Sequence, residues 1–240
     1  TLDVPHLLYR QPFSLLHKIY SHFLTNPPDE LLVHALCRIC SSVMESCALA
    51  VAAEKSIPVV LAGYAPNQPP DFFYEVPQDR IRHTWVPPEL PGGYLTPEEE
   101  ACFWNPAHSR GRPPPRILCP MHIWQYNADN VTRRVVNSGL IPPRRASPLA
   151  TNCLLNPVMT AAEIRRRGYN PCIGEFSALV TQRKLDRTRW LWMDRMIRLG
   201  VTRGLFRRNE IRRVLRTVGV SPAVFRKTFS QNTRNLSQGQ

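Results

Sequence analysis

A chain of 240 residues, 43% of them hydrophobic, is long enough to bury a full core, as one large domain or one domain with an appendage. Its formal net charge of +13 is unevenly placed: residues 1–70 carry four Lys/Arg against five Asp/Glu, residues 71–160 nine against eight, and residues 161–240 eighteen against five. The longest uncharged apolar run, residues 57–65, is too short to cross a bilayer, and residues 1–5 lack a basic-then-apolar leader, so the expected location is cytoplasmic with no membrane partner.

Apolar residues recur at helical spacing over residues 7–24, so a helix is expected there, ending before Asn26-Pro27-Pro28. With Asp29 as its cap, the next helix runs over residues 31–55, free of Gly and Pro and expected to be the best buried in the chain. Residues 57–62 then read as a strand buried on both faces, followed by a turn at Gly63. A long helix, a short apolar strand and a Gly turn together belong to a parallel α/β sheet.

Prolines interrupt residues 66–120, which read as a loop-rich insertion. Within it, Thr96 followed by Pro97 and Glu98, Glu99 and Glu100 predicts a short capped helix, and residues 116–119 return to strand character. Asn127 and Gly139 bound a helix over residues 128–138, and a polar loop around Cys153 spans residues 144–156. A short basic helix over residues 161–167, stopped by Gly168, is followed by a helical tail over residues 185–199, 208–218 and 222–229 and a disordered end at 231–240. The domain division expected is 1–180 for the α/β domain, 181–230 for the basic tail and 231–240 for the end. Trp190 and Trp192 are expected to be packing anchors.

The charge block at the C-terminal end suits a polyanion such as RNA, because neutralised phosphates release condensed counterions. Arg208, Arg212 and Arg216 share a helical face with Arg213 nearby, and Arg165, Arg166 and Arg167 form a second basic run; these seven are the candidate RNA-binding residues. The bland reading of the same residues is a solvated helical face.

Seven cysteines, an odd number in a chain too large to need disulfide staples, point to metal binding or thiols. Cys37 and Cys40, spaced Cys-x-x-Cys, stand on adjacent helical turns, and Cys153 lies in a loop stiffened by Pro148 and Pro157. Three thiolates leave a fourth position open, which Cys172 or Cys119 could close. The competing reading is that these cysteines are small core hydrophobes. No Ser-His-Asp spacing, H-E-x-x-H or Walker A run occurs, and the catalytic residues stay unknown.

The order Cys-x-x-Cys, long helix, strand, loop from Gly63 to Gln68, then strand, helix and Thr151-Asn152-Cys153, resembles the PP-loop ATP pyrophosphatases, the adenine nucleotide alpha hydrolase-like superfamily. The resemblance covers roughly residues 30–175. It implies a Rossmann-like parallel sheet, ATP with magnesium as substrate, adenylation of a carbonyl oxygen and displacement of AMP by sulfur. By similarity to the tRNA thiolation enzymes of the superfamily, Cys37, Cys40 and Cys153 would hold an iron–sulfur cluster or zinc, while Gly63, Tyr64, Asn67 and Gln68 would meet the nucleotide. The implied partners are tRNA and a sulfur donor protein, with a homodimer as an option. The segment from Glu54 to Gly63 and the helical tail also resemble the N-acetyl sugar amidotransferases, which deliver ammonia instead. A third reading is a non-catalytic RNA-binding or scaffold module.

Two departures bear on this resemblance. The Ser-Gly-Gly-x-Asp-Ser loop that cradles pyrophosphate does not occur in these 240 residues, and Pro66-Asn67-Gln68 stands where the family has an acidic pair suited to magnesium. The expectation is a sheet incomplete at its N-terminus, with the missing strand and loop upstream.

Overall fold

The computed structural model describes residues 7–10, 12–64, 74–124, 127–143, 146 and 153–230. Its elements are α1 (Phe13–Thr25), α2 (Leu32–Glu54), β1 (Val59–Leu61), α3 (Gln78–Ile81), α4 (Pro97–Glu100), β2 (Arg116–Leu118), α5 (Ala128–Asn137), α6 (Asn156–Arg167), α7 (Ile173–Thr181), α8 (Arg187–Thr202), α9 (Arg208–Thr217) and α10 (Pro222–Ser230). The class is α/β in its coarse form: the chain is mostly helical, and β1 pairs in parallel with β2 with Val60 opposite Ile117. Contacts divide the chain into two compact units, Thr1–Arg10 with Ile39–Thr151, and Gln11–Arg38 with Asn152–Gln240. The expected disordered end at 231–240 lies outside the described residues.

In the first unit the core joins Leu49 of α2 and Ile117 of β2 to Val76, Ile81, Trp85 and Trp104 from the segment between the strands. The Pro-rich stretch is therefore a core contributor and not merely a loop. Each indole satisfies its N–H within that segment: Trp104 Nε1 donates to the Ile81 carbonyl at 2.7 Å and Trp85 Nε1 to the Arg80 carbonyl at 3.1 Å. Proline withholds ladder donors, so the segment orders itself through such side-chain bonds and short turns. One of them is the expected cap on α4, where Thr96 N donates to Glu99 Oε2 at 2.8 Å and Glu99 N donates to Thr96 Oγ1 at 3.3 Å.

The expectation that the first strand is buried on both faces fails. Val59 and Val60 are half-buried and Leu61 is 66% exposed. Among the described residues β1 has β2 on one side and no strand on the other, so no second layer closes over Leu61.

The second unit is built around α6, against which α8, α9 and α10 pack, while α10 also packs on α1. Residues 157–164 of α6 are all buried, and Gly168 ends the helix at φ 78°, a left-handed conformation that costs glycine little. The helix starts five residues before the expected position. Glu163, with no exposed surface, accepts from Leu32 N at 2.7 Å and pairs with Arg167 Nε at 2.9 Å. The first donor of α2 is thus satisfied by a carboxylate from α6 rather than by the expected cap Asp29. No element was expected over residues 169–184, where α7 forms; its Phe176 stacks on Trp190 at 3.7 Å between ring centroids. Trp190 is a packing anchor as expected, whereas Trp192 is 64% exposed, pointing away from that stack.

By length and composition α2 also qualifies as long and apolar enough to cross a bilayer, which counting uncharged runs overlooked. Its buried residues fall at Leu32, Ala35, Leu36, Ile39, Val43, Ser46, Leu49 and Ala52, the three- and four-residue spacing of a helix lying on a protein core.

Candidate functional site

β1 and β2 run in the same direction, so Gly63 and Tyr64 leave β1 at the same end of the pair at which Cys119 leaves β2. α2 lays Ser41 and Glu45 beside them, one turn apart on one face. The Tyr64 hydroxyl donates to Glu45 Oε1, and Ser41 hydrogen-bonds the same phenol. Burial first, then the bond to Glu45 and its charge, push the Tyr64 phenol well above its usual range. Burial likewise raises the Glu45 carboxyl, opposed by the Tyr64 bond and by the charge of Arg80. The Cys119 thiol is buried and pushed up by that burial and then by Glu45, which makes it a poor thiolate and a weak nucleophile. The cluster is thus a protonated phenol braced by a carboxylate, beside an open main-chain turn. Among the described residues the space over Gly63 is clear, with no atom within 4 Å of where a Cβ would stand.

Of the four residues expected to meet a nucleotide, Gly63 and Tyr64 take this position, while Asn67 and Gln68 lie outside the described residues. Ser41, Glu45 and Cys119 were not assigned to the nucleotide by sequence reasoning. The signal available for two of them was the four-residue spacing of Ser41 and Glu45 on a helix that precedes the strand.

Cys37 and Cys153 are exposed and belong to the second unit; Cys40 is partly buried and belongs to the first. Cys172 stands at the N-cap position of α7 without a side-chain capping bond, its thiol raised by burial and then by Glu175. Among the described residues no three His, Cys, Asp or Glu side chains come together as a metal-holding group.

The candidate RNA-binding arginines part into three sets. Arg166 donates to the Pro28 carbonyl and Arg167 to those of Asp29 and Glu30, so both hold the turn before α2. Arg213 and Arg216 are exposed on α9. Arg165, Arg208 and Arg212 line a cavity of about 250 Å³ in the second unit, together with Arg203 and Arg226, which the sequence reading did not single out. Arg203 follows α8 and Arg226 lies on α10, so only tertiary packing brings them to the others.

Comparison of the chain with protein-family models, with curated proteins and with solved structures gives no match.

Proposed function

We propose that the first unit is the nucleoside-binding wall of a PP-loop-type, ATP-dependent transferase that delivers sulfur to an adenylated carbonyl of a tRNA. The observation that carries the reading is the parallel pairing of β1 with β2, with Gly63, Tyr64 and Cys119 at the carboxyl ends of the strands. Open α/β sheets bind ligands in the crevice outside those ends. The described residues leave the main chain at Gly63 open to a base or ribose, and the Tyr64 phenol, held protonated against Glu45, offers a flat apolar face.

In the reaction proposed, a substrate carbonyl oxygen attacks the α-phosphate of ATP and pyrophosphate leaves. A sulfide-level sulfur nucleophile from the donor then attacks the activated carbon, the C–S bond forms, and the C–O bond breaks as AMP leaves with the former carbonyl oxygen. The chain has no Ser-Gly-Gly-x-Asp-Ser nest for the pyrophosphate, so this unit is assigned the nucleoside alone. The described residues assemble no three-ligand group at Cys37, Cys40 and Cys153, and no step is routed through a cluster or zinc.

Calorimetric titration of the full chain with AMP and with GMP tests the reading. Gly63→Val is the informative variant, because the added side chain meets none of the described residues and the backbone there is not left-handed, so the fold is expected to be kept. AMP is expected to bind in preference to GMP, and Gly63→Val to weaken it about tenfold, roughly 1.4 kcal/mol, without lowering the melting temperature. Equal binding of the two nucleotides, or a Gly63→Val titration that overlays the wild type, overturns the proposal.

A further inference from the structure

Five guanidinium groups, Arg165, Arg203, Arg208, Arg212 and Arg226, line the cavity among α6, α8, α9 and α10, and among the described residues no acid does. The acids carried by these helices are engaged elsewhere. Glu163 is tied to Leu32 N and Arg167, Asp194 to Arg198 at 2.8 Å, and Glu210 to Arg207. α10 has none. The positive charge gathered at the cavity is therefore not balanced by the helices that build it.

The arginines differ in depth. Arg165 is half-buried, and one of its nitrogens donates to the Val201 carbonyl at 2.9 Å, which fixes the guanidinium in place. Burial, then the charge of Arg226, lowers its proton affinity below the usual arginine value, as expected where two cations face each other in a recess. Arg203, Arg208, Arg212 and Arg226 are exposed and stand around it. Leu215 and Phe225 give the recess an apolar, buried base. One fixed guanidinium within a ring of exposed ones is an arrangement suited to a small multivalent oxyanion, since each planar fork can offer two parallel N–H donors.

We propose that this cavity is a phosphate-binding site, taking a phosphomonoester or phosphodiester group. Its volume of about 250 Å³ lies below the ~300–1,000 Å³ of sites that enclose a whole drug-sized ligand, which suits a phosphate head and the sugar atoms next to it. The site stands on the second unit alone and needs nothing of the nucleotide reading of the first. The phosphate has two sources that share this chemistry: a nucleic-acid strand and a free phosphorylated small molecule.

The experiment uses the full chain and three probes at constant ionic strength: inorganic phosphate, a short RNA bearing a 5′-phosphate, and the same RNA ending in a 5′-hydroxyl. Thermal melting and fluorescence anisotropy read binding. Arg208→Gln with Arg212→Gln is the lining variant, Arg226→Gln a second one, and Arg213→Gln with Arg216→Gln removes the same charge from exposed positions that do not line the cavity. The lining variants are expected to weaken binding about tenfold or more, whereas the matched control loses only the smaller, salt-dependent share of two charges on the same helix that do not line the cavity. Stabilisation by phosphate and by the 5′-phosphorylated RNA alone assigns the site to a terminal or free phosphate. Equal, variant-sensitive binding of both RNAs assigns it to an internal phosphodiester. Lining and control variants that weaken every probe equally, or no probe bound, overturn the proposal.

Discussion

Glu163 shows how much one side chain can organise. Its carboxylate has no exposed surface and is shared between the first amide of α2 and the guanidinium of Arg167. Removing the carboxylate takes away the acceptor of the Leu32 amide and the charge partner of Arg167 together, so Glu163→Ala is expected to cost about 3–5 kcal/mol in chemical denaturation. Glu163→Gln keeps an oxygen for Leu32 N and should lose clearly less; equal losses would mean that the amide bond contributes nothing.

At the edge of the parallel pair, Glu45 gives a pH signature. Its folded proton affinity is raised above the ordinary carboxyl value of 4.5. The folded state therefore holds its proton more tightly than the unfolded one, and the stability from this group is complete below pH 4.5 and declines as pH rises above it. Glu45→Gln, which keeps an acceptor for Tyr64, is expected to melt higher than the wild type at neutral pH and to flatten that decline. Melting curves at a series of pH values check it; a variant profile parallel to the wild type would contradict the assignment.

Elements whose signals are local were legible in the sequence. Asn127 accepts from Asn130 N at 3.0 Å to start α5, Thr96 and Glu99 form the expected box on α4, and α2, α8, α9 and α10 lie close to their expected ranges. Each depends on residues within a turn or two of one another, which is the range at which composition and spacing speak. Apart from that box, the segment between β1 and β2 was not legible, because the order of its described residues comes from contacts that helical or strand periodicity does not encode. Trp104 is fully buried there, donating to Ile81 across 23 positions of sequence. Trp104→Ala is accordingly expected to cost about 3–5 kcal/mol by denaturant titration, the range of a large aromatic removed from a core. A loss within the ~0.5 kcal/mol of a surface change would restore the view of this segment as a loop-rich insertion.

Across the whole molecule, sequence reading placed the excess charge correctly in the last eighty residues but could not say what it does there. Arg166 and Arg167 hold a turn, Arg213 and Arg216 lie in solvent, and Arg165, Arg208 and Arg212 meet Arg203 and Arg226 only after four helices pack. The same holds for the edge of the sheet, where Tyr64 was foreseen but its Glu45 brace was not, since the two meet only when β1 folds back along α2. The central claim is that the carboxyl ends of β1 and β2 receive a nucleoside. Amide hydrogen exchange of the full chain with and without AMP tests it most directly. The account predicts new protection at residues 59–64 and 116–119 and in the part of α2 that carries Ser41 and Glu45. Protection confined to α6, α8, α9 and α10, or no change anywhere, would contradict it.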